Sequence, residues 1–172
     1  MIDFASLKNT AMTRLWAFSK VPMLYWVCPR ILELSNERVE VKIPLNRRTH
    51  NHLGSMYMGV LACGADMAGG LIAMHLGKSG RNKTSLIFKD FKADFLKRAE
   101  ADTHFVCEDG KVIGEAITSL RKKGQRVNLP VRIEAFCPKA LGDEPVAKFK
   151  LTLSLKKYLI SYFLDYFYLQ KL

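Results

Sequence analysis

The chain holds 172 residues, of which 49% are hydrophobic and 25% charged. That length suits one domain able to bury about 70% of its unfolded surface, and that composition excludes disorder as the default state. Lys and Arg number 27 against 16 Asp and Glu, a net charge of +11 with a pI near 9.6, which favours an anionic partner.

In chain order, Phe4, Leu7, Ala11, Leu15 and Phe18 recur at three and four residues, the spacing of one helical face. This predicts a helix packed on the domain or on a partner. Pro22 and Pro29 punctuate the apolar connector that follows, with Tyr25 and Trp26 between them, and the residue before each Pro is pushed away from helix, so an extended connector is expected. Residues 31–34 and 39–45 flank Ser35-Asn36-Glu37-Arg38, and Val39, Val41, Ile43 and Leu45 alternate with Glu40, Lys42 and Pro44. Period two implies a strand with one wet face, and the pair reads as a hairpin.

The stretch 51–77, NHLGSMYMGVLACGADMAGGLIAMHLG, is the longest apolar run and carries a single carboxylate, Asp66. It reads as one buried helix, entered past Gly54 and Gly59, apolar on every side. Each interior Gly costs roughly 1 kcal/mol of helix propensity, and a sheet wrapped closely on the small residues would offset that. The run is long enough to span a bilayer, but Asp66 at its middle would cost roughly 3 kcal/mol there, so no transmembrane segment is expected. Asp66 is then either a buried carboxylate satisfied by backbone amides or a catalytic carboxylate in a cleft.

Beyond a basic turn at 78–83, residues 84–93 and the alternation of Ala99, Ala101, Thr103 and Phe105 predict two strands. Val112, Ile113, Ala116, Ile117 and Leu120 repeat at helical spacing. Two further alternating runs, 127–135 and 149–155, complete a sheet, with Pro130 arguing for an edge or a bulge. Residues 158–172 are aromatic and aliphatic, too short a run to cross a membrane as a helix. Packing on the body or on a second protomer is the favoured role for that tail. One domain is expected over 1–157, with the tail beyond it.

Nucleic acid would answer the positive charge, but the chain carries no finger, helix-turn-helix signature or aromatic RNA-binding strand, and none is expected as a partner. The phosphates of coenzyme A fit the charge equally well, and a general solubility effect is the plain alternative. Cys28, Cys63, Cys107 and Cys137 are widely spaced, without a C-x-x-C pair or a suitably placed His. Reduced, mostly buried thiols are expected, with no metal and no cofactor. The N-terminus, MIDFASLKNTAMTRLWAF, lacks the apolar core of a signal peptide, which predicts a cytoplasmic protein.

Asn51, Gly54, Gly59 and Asp66 stand in the order and spacing of the hotdog-fold thioesterase signature, N-x-x-G-x-x-H-G-G followed by an acid seven residues beyond the last Gly. Asp94-Phe95-Leu96-Lys97-Arg98-Ala99 resembles the D-F-L-x-P-A stretch of the same proteins. The chain thus resembles the phenylacetate-pathway type of acyl-CoA thioesterase, departing from it where the family's His is Tyr57 and its first Gly is Met58.

The resemblance implies an α+β hotdog fold, an antiparallel sheet wrapped around a long central helix, in a homodimer or homotetramer with active sites between protomers. It implies hydrolysis of an acyl-CoA or related thioester, with Asp66 as general base or nucleophile and Gly59, beside Met58, offering an oxyanion-binding amide. Asn51 would hold water or the substrate carbonyl, its other reading being a cap of helix entry. Tyr57 would line the acyl pocket, and Thr84 and Ser85 would reach a neighbouring protomer's site as hydroxyl donors. The rivals are a hotdog protein that binds acyl-CoA or lipid without hydrolysis, and a basic nucleic-acid or membrane-surface protein.

Overall fold

The computed structural model describes residues 4–77 and 84–157; the basic turn at 78–83 and the apolar tail at 158–172 lie outside them. Helix α1 (Phe4–Lys20) and the short α2 (Pro22–Trp26) precede the hairpin β1 (Arg30–Leu34) and β2 (Val39–Ile43). The central helix α3 (Met58–Gly77) leads to β3 (Thr84–Phe95), β4 (Thr103–Cys107), α4 (Gly110–Ser119), β5 (Arg126–Phe136), α5 (Pro138–Leu141) and β6 (Pro145–Lys157). The strands form one six-stranded sheet in the order β1-β2-β4-β5-β6-β3, antiparallel at every pairing.

Alternation decides which face of that sheet is dry. Val39, Val41 and Ile43 are buried and lie opposite Cys107, Phe105 and Thr103. Val131, Ile133, Ala135, Phe149, Leu151 and Leu153 continue the same face, none more than 3% exposed. Helix α3 lies against it, and Gly64 sets how closely: a Cβ there would stand 2.3 Å from two carbons of the Phe105 ring. Gly64, which weakens α3 as an isolated helix, is therefore what lets the sheet curl onto it at this point. By length and composition α3 could cross a membrane, but here it packs against β2, β4 and β5, with Ala65, Ala68 and Ile72 fully buried.

Pro130 sits opposite Thr152 of β6, while β4 reaches only Glu134, Ala135 and Phe136 on the other side of β5. The proline thus occupies a stretch with one strand neighbour, where its missing N–H breaks no ladder. On that open side Asp109 Oδ2 accepts from the Arg132 N–H at 2.7 Å. The β3–β6 register shifts between Phe88 and Phe91, where Asp90 Oδ1 accepts from the Thr152 N–H at 3.1 Å. Helix α4 forms as the spacing predicts and packs on α3, an addition to the simplest hotdog pattern.

Three readings of the sequence change. The connector is not extended throughout, because Pro22 opens α2 within its first turn, where a missing N–H costs nothing and φ is already helical. Helix α3 begins at Met58 and not at Asn51; residues 51–55 form a loop with Gly54 at φ +79°. The face of α1 turned to the body is its polar one. Ser6 Oγ donates to Ile31 O, and Thr10 Oγ1 accepts from the Ile31 N–H at 2.9 Å. Arg14 donates to Pro29 O at 2.9 Å and to Cys28 O at 3.0 Å. The helix is thereby tied to the backbone of edge strand β1, protecting that edge from pairing elsewhere. Phe4, Leu7, Leu15 and Phe18 face outward instead.

Candidate active site

Midway along α3 the residues at three and four spacing, Asp66, Gly70, Ala73 and Gly77, line a cavity of about 500 Å³. Thr84, Ser85, Leu86 and Phe88 of β3 contribute a second wall, and Trp16, Lys20, Val21 and Leu24 a third. Asp66 is therefore an acid in a mostly apolar cavity, with Lys20, Thr84 and Ser85 as its other polar lining. Burial alone pushes its carboxyl up from the ordinary 3.8 to about 6, since desolvation penalises the charged form. Among the described residues no group donates a hydrogen bond to it, so the reading in which backbone amides satisfy a structural carboxylate has no support in the geometry. Cys63, one turn earlier, has its thiol raised first by burial and then by the Asp66 charge, which keeps it protonated and a poor nucleophile.

The sequence signature divides between two places. Asn51 Nδ2 donates to Ser55 Oγ at 3.1 Å and its Oδ1 accepts from the Leu53 N–H at 2.9 Å. Its backbone N–H donates to Ser55 O at 2.8 Å. Its side chain thus holds the loop ahead of α3. The Tyr57 N–H donates to Thr49 O at 2.8 Å, and Tyr57 O accepts from the Val60 and Leu61 N–H groups at 2.9 and 3.0 Å. Among the described residues the Met58 and Gly59 N–H groups are the ones left without acceptors at this positive end of α3, as the first turn of a helix leaves them. The Tyr57 ring lies against Gly59: a Cβ there would be 2.6 Å from Tyr57 Cε1.

Gly59 and Asp66 are seven residues apart, or about 10 Å along a helix rising 1.5 Å per residue. One thioester carbonyl cannot touch both in a single chain. Asp66, Thr84 and Ser85 share the cavity, whereas Asn51, Tyr57, Met58 and Gly59 are not among its lining residues. The cavity wall from α1 and α2 is one the sequence does not disclose: Trp16, Val21 and Leu24 mark themselves only by being apolar and Lys20 only by its charge, and nothing local says which helix they meet.

A second cavity, of about 600 Å³, lies on the wet face of the sheet between Glu40, His104, Asp109, Arg132 and Glu134. Its charges answer one another. Arg38 bridges Glu33, Glu40 and Glu108, His104 Nδ1 stands 2.7 Å from Glu40, and Arg132 pairs with Asp109 at 3.2 Å. The His104 hydrogen bond, against burial and helped by Arg38, holds the Glu40 carboxyl below its usual range. Such a network is complete without a ligand, in contrast to Asp66. Among the described residues no group of three or more His, Cys, Asp or Glu is arranged to hold a metal.

A six-stranded antiparallel sheet in this order, curled around one long helix, is the hotdog fold of thioesterases. The fold is shared with a candidate thioesterase from Shewanella oneidensis (TM-score 0.72, 13% identity, 87% of this chain and 97% of that one). It is shared with a thioesterase from Haemophilus influenzae (TM-score 0.61, 13% identity, 88% and 94%). A protein of unknown function from Chlorobaculum tepidum is likewise similar (TM-score 0.75, 11% identity, 88% and 96%). No curated protein sequence matches the chain. The chain belongs to the family described as a domain of unknown function, DUF4442, whose model matches residues 10–152.

Proposed function

We propose that the protein hydrolyses an acyl-CoA or related thioester, with Asp66 as the essential carboxylate. The observation that carries this reading is Asp66 itself, a carboxyl raised to about 6 by burial in a cavity large enough for an acyl chain. As general base it takes a proton from water and the water oxygen bonds to the thioester carbon; collapse of the oxyanion then breaks the C–S bond, and the proton held by Asp66 passes to the departing sulfur, releasing the thiol and the carboxylic acid. Raised basicity suits that step at neutral pH. Thr84 and Ser85 offer hydroxyl donors at the same cavity.

The oxyanion donors in this reading are the Met58 and Gly59 amides of a second protomer, because those of the same chain lie too far from Asp66. Two protomers would meet along β3, whose outer edge has no strand partner among the described residues. Ile87, Phe91 and Phe95 on that strand are 45 to 56% exposed. Asn51 acts as a positioning residue for the amide loop, and Tyr57 lines the acyl entrance. The protein would work in the cytoplasm, as a homodimer or homotetramer.

Thiol release from short, medium, long and aromatic acyl-CoAs, compared with Asp66→Asn, tests this; full turnover in the variant would sink it. Gly70 sharpens the test. A Cβ there meets Phe88 Cζ at 3.6 Å and Leu86 Cδ2 at 3.9 Å, ordinary contacts, so a side chain is accepted at the expense of the cavity. Gly70→Val should lower kcat/KM for long chains about tenfold or more while sparing short ones, in line with 1–3 kcal/mol per methylene misfit. An unchanged chain-length profile would place the acyl group elsewhere. One observation favours a second reading, capture without hydrolysis: the Tyr57 ring crowds Gly59, filling the space where a Cβ would stand. Saturable acyl-CoA binding without turnover would identify it.

A further inference from the structure

We infer that α1 and α2 form a docking face for an anionic lipid bilayer. Helix α1 is amphipathic in the reverse of the usual sense: its hydroxyls and Arg14 hold the body, and its apolar side faces out. Phe4, Phe18, Met23 and Trp26 are 81, 62, 65 and 57% exposed. Phe18 packs edge-on against Tyr25, ring centroids 5.2 Å apart, and Arg48 covers Trp26 at 4.8 Å, so the side chains of the two helices form a continuous patch. Contiguous apolar surface of this kind marks an interaction site, and Trp and Tyr beside cations suit the boundary between headgroups and acyl chains.

Charge selects the occupant. Residues 4–32 contain no Asp or Glu, and of their cations Lys8, Lys20 and Arg30 are exposed while Arg14 is turned to the body. Lys8 lies on the outward face of α1, four residues from both Phe4 and Met12. A second copy meeting this face with its own would bring the same cations and no anion to answer them. The 158–172 segment, with one Asp and one Lys, brings no net charge to answer them. Anionic headgroups do answer them, while the acyl region takes the aromatics. The same two helices wall the Asp66 cavity, so docking would turn that wall toward the lipid. The binding itself does not rest on the hydrolytic reading.

The test is co-sedimentation of the full chain with phosphatidylcholine vesicles and with mixed phosphatidylcholine–phosphatidylserine vesicles, following Trp emission in parallel. The expected result is salt-sensitive partition into the mixed vesicles with a blue shift from Trp26. Phe18→Ser should lower that partition about tenfold and Lys8→Gln about fivefold, both keeping wild-type circular dichroism and whatever turnover of a soluble acyl-CoA the parent shows. Val112→Ser, which removes an exposed apolar group from α4, should change nothing. The inference is overturned by absence of partition, by equal and salt-insensitive partition into both vesicles, or by an equal loss in Val112→Ser. Self-association without lipid that Phe18→Ser abolishes would assign the face to a second copy and overturn it too.

Discussion

Asp66→Asn is expected to abolish thioester hydrolysis and, at neutral pH, to make the folded protein more stable. The two effects share one cause. A carboxyl whose folded pKa lies at about 6 against an ordinary 3.8 binds more protons folded than unfolded between those values. Folding is therefore favoured at low pH, and stability falls as pH rises from about 4 through about 6, after which the penalty is constant. At about 1.4 kcal/mol for each pH unit between the two values, the full penalty is on the order of 3 kcal/mol. Asn keeps the shape and never carries the charge, so wild type and variant should melt together near pH 4. Near pH 7.5 the variant should melt about 6 to 12 °C higher, at 2–4 °C per kcal/mol for a chain of this length.

Activity carries the opposite sign. A base must be ionised, so kcat/KM of the wild type should rise through about pH 6 to a plateau, and loss of a general base costs about 100- to 10,000-fold. Thermal melts at the two pH values and a pH–rate profile check both halves. A variant less stable than wild type at pH 7.5 would mean that Asp66 is held by partners and is structural. A rate independent of pH through that region would remove it from the chemistry.

Asp66 was legible because it is the one charge in a run that otherwise has none, and a helix buried on all sides has no innocent place for it. The strands were legible for a similar reason: Val39, Val41 and Ile43 against Glu40 and Lys42 leave one register in which the dry face stays dry. What the sequence could not convey is what a face meets. The spacing of Phe4, Leu7, Leu15 and Phe18 defines a side of α1 but not its direction, and Ser6, Thr10 and Arg14, which decide it, act on the backbone of β1 and of the two residues before it, which any sequence would present. Pro22 reads equally as a breaker and as a first-turn residue. The run from Asn51 is continuous in apolarity with the helix, so the start at Met58 was hidden until the hydrogen bonds of Asn51 fixed a loop. The signature residues sit next to one another in the sequence, yet the rise of a helix sends the Gly59 amide and the Asp66 carboxylate to separate places.

The second large effect concerns how closely the sheet holds α3. Gly64→Ala should destabilise the protein by about 1–3 kcal/mol, the range for overpacking a core, although Ala is the better helix former by about 1 kcal/mol. The new Cβ would fall 2.3 to 2.5 Å from three carbons of the Phe105 ring. That ring is fully buried between Val41 and Ala135 of the flanking strands and lies 6.4 Å, centroid to centroid, from Phe149, so it has nowhere to retreat. The same substitution at Gly114 of α4, where nothing lies within 4 Å, should stabilise by up to about 1 kcal/mol. Phe105→Leu removes the clash, and its double variant with Gly64→Ala should be more stable than the two single costs added, by about 0.5–3 kcal/mol. Chemical denaturation of the wild type and these four variants measures this directly. Were Gly64→Ala to stabilise as Gly114→Ala does, α3 would stand off the sheet. The cavity beside Asp66, bounded by the same helix and by β3, would then have a different shape from the one that makes its carboxyl basic.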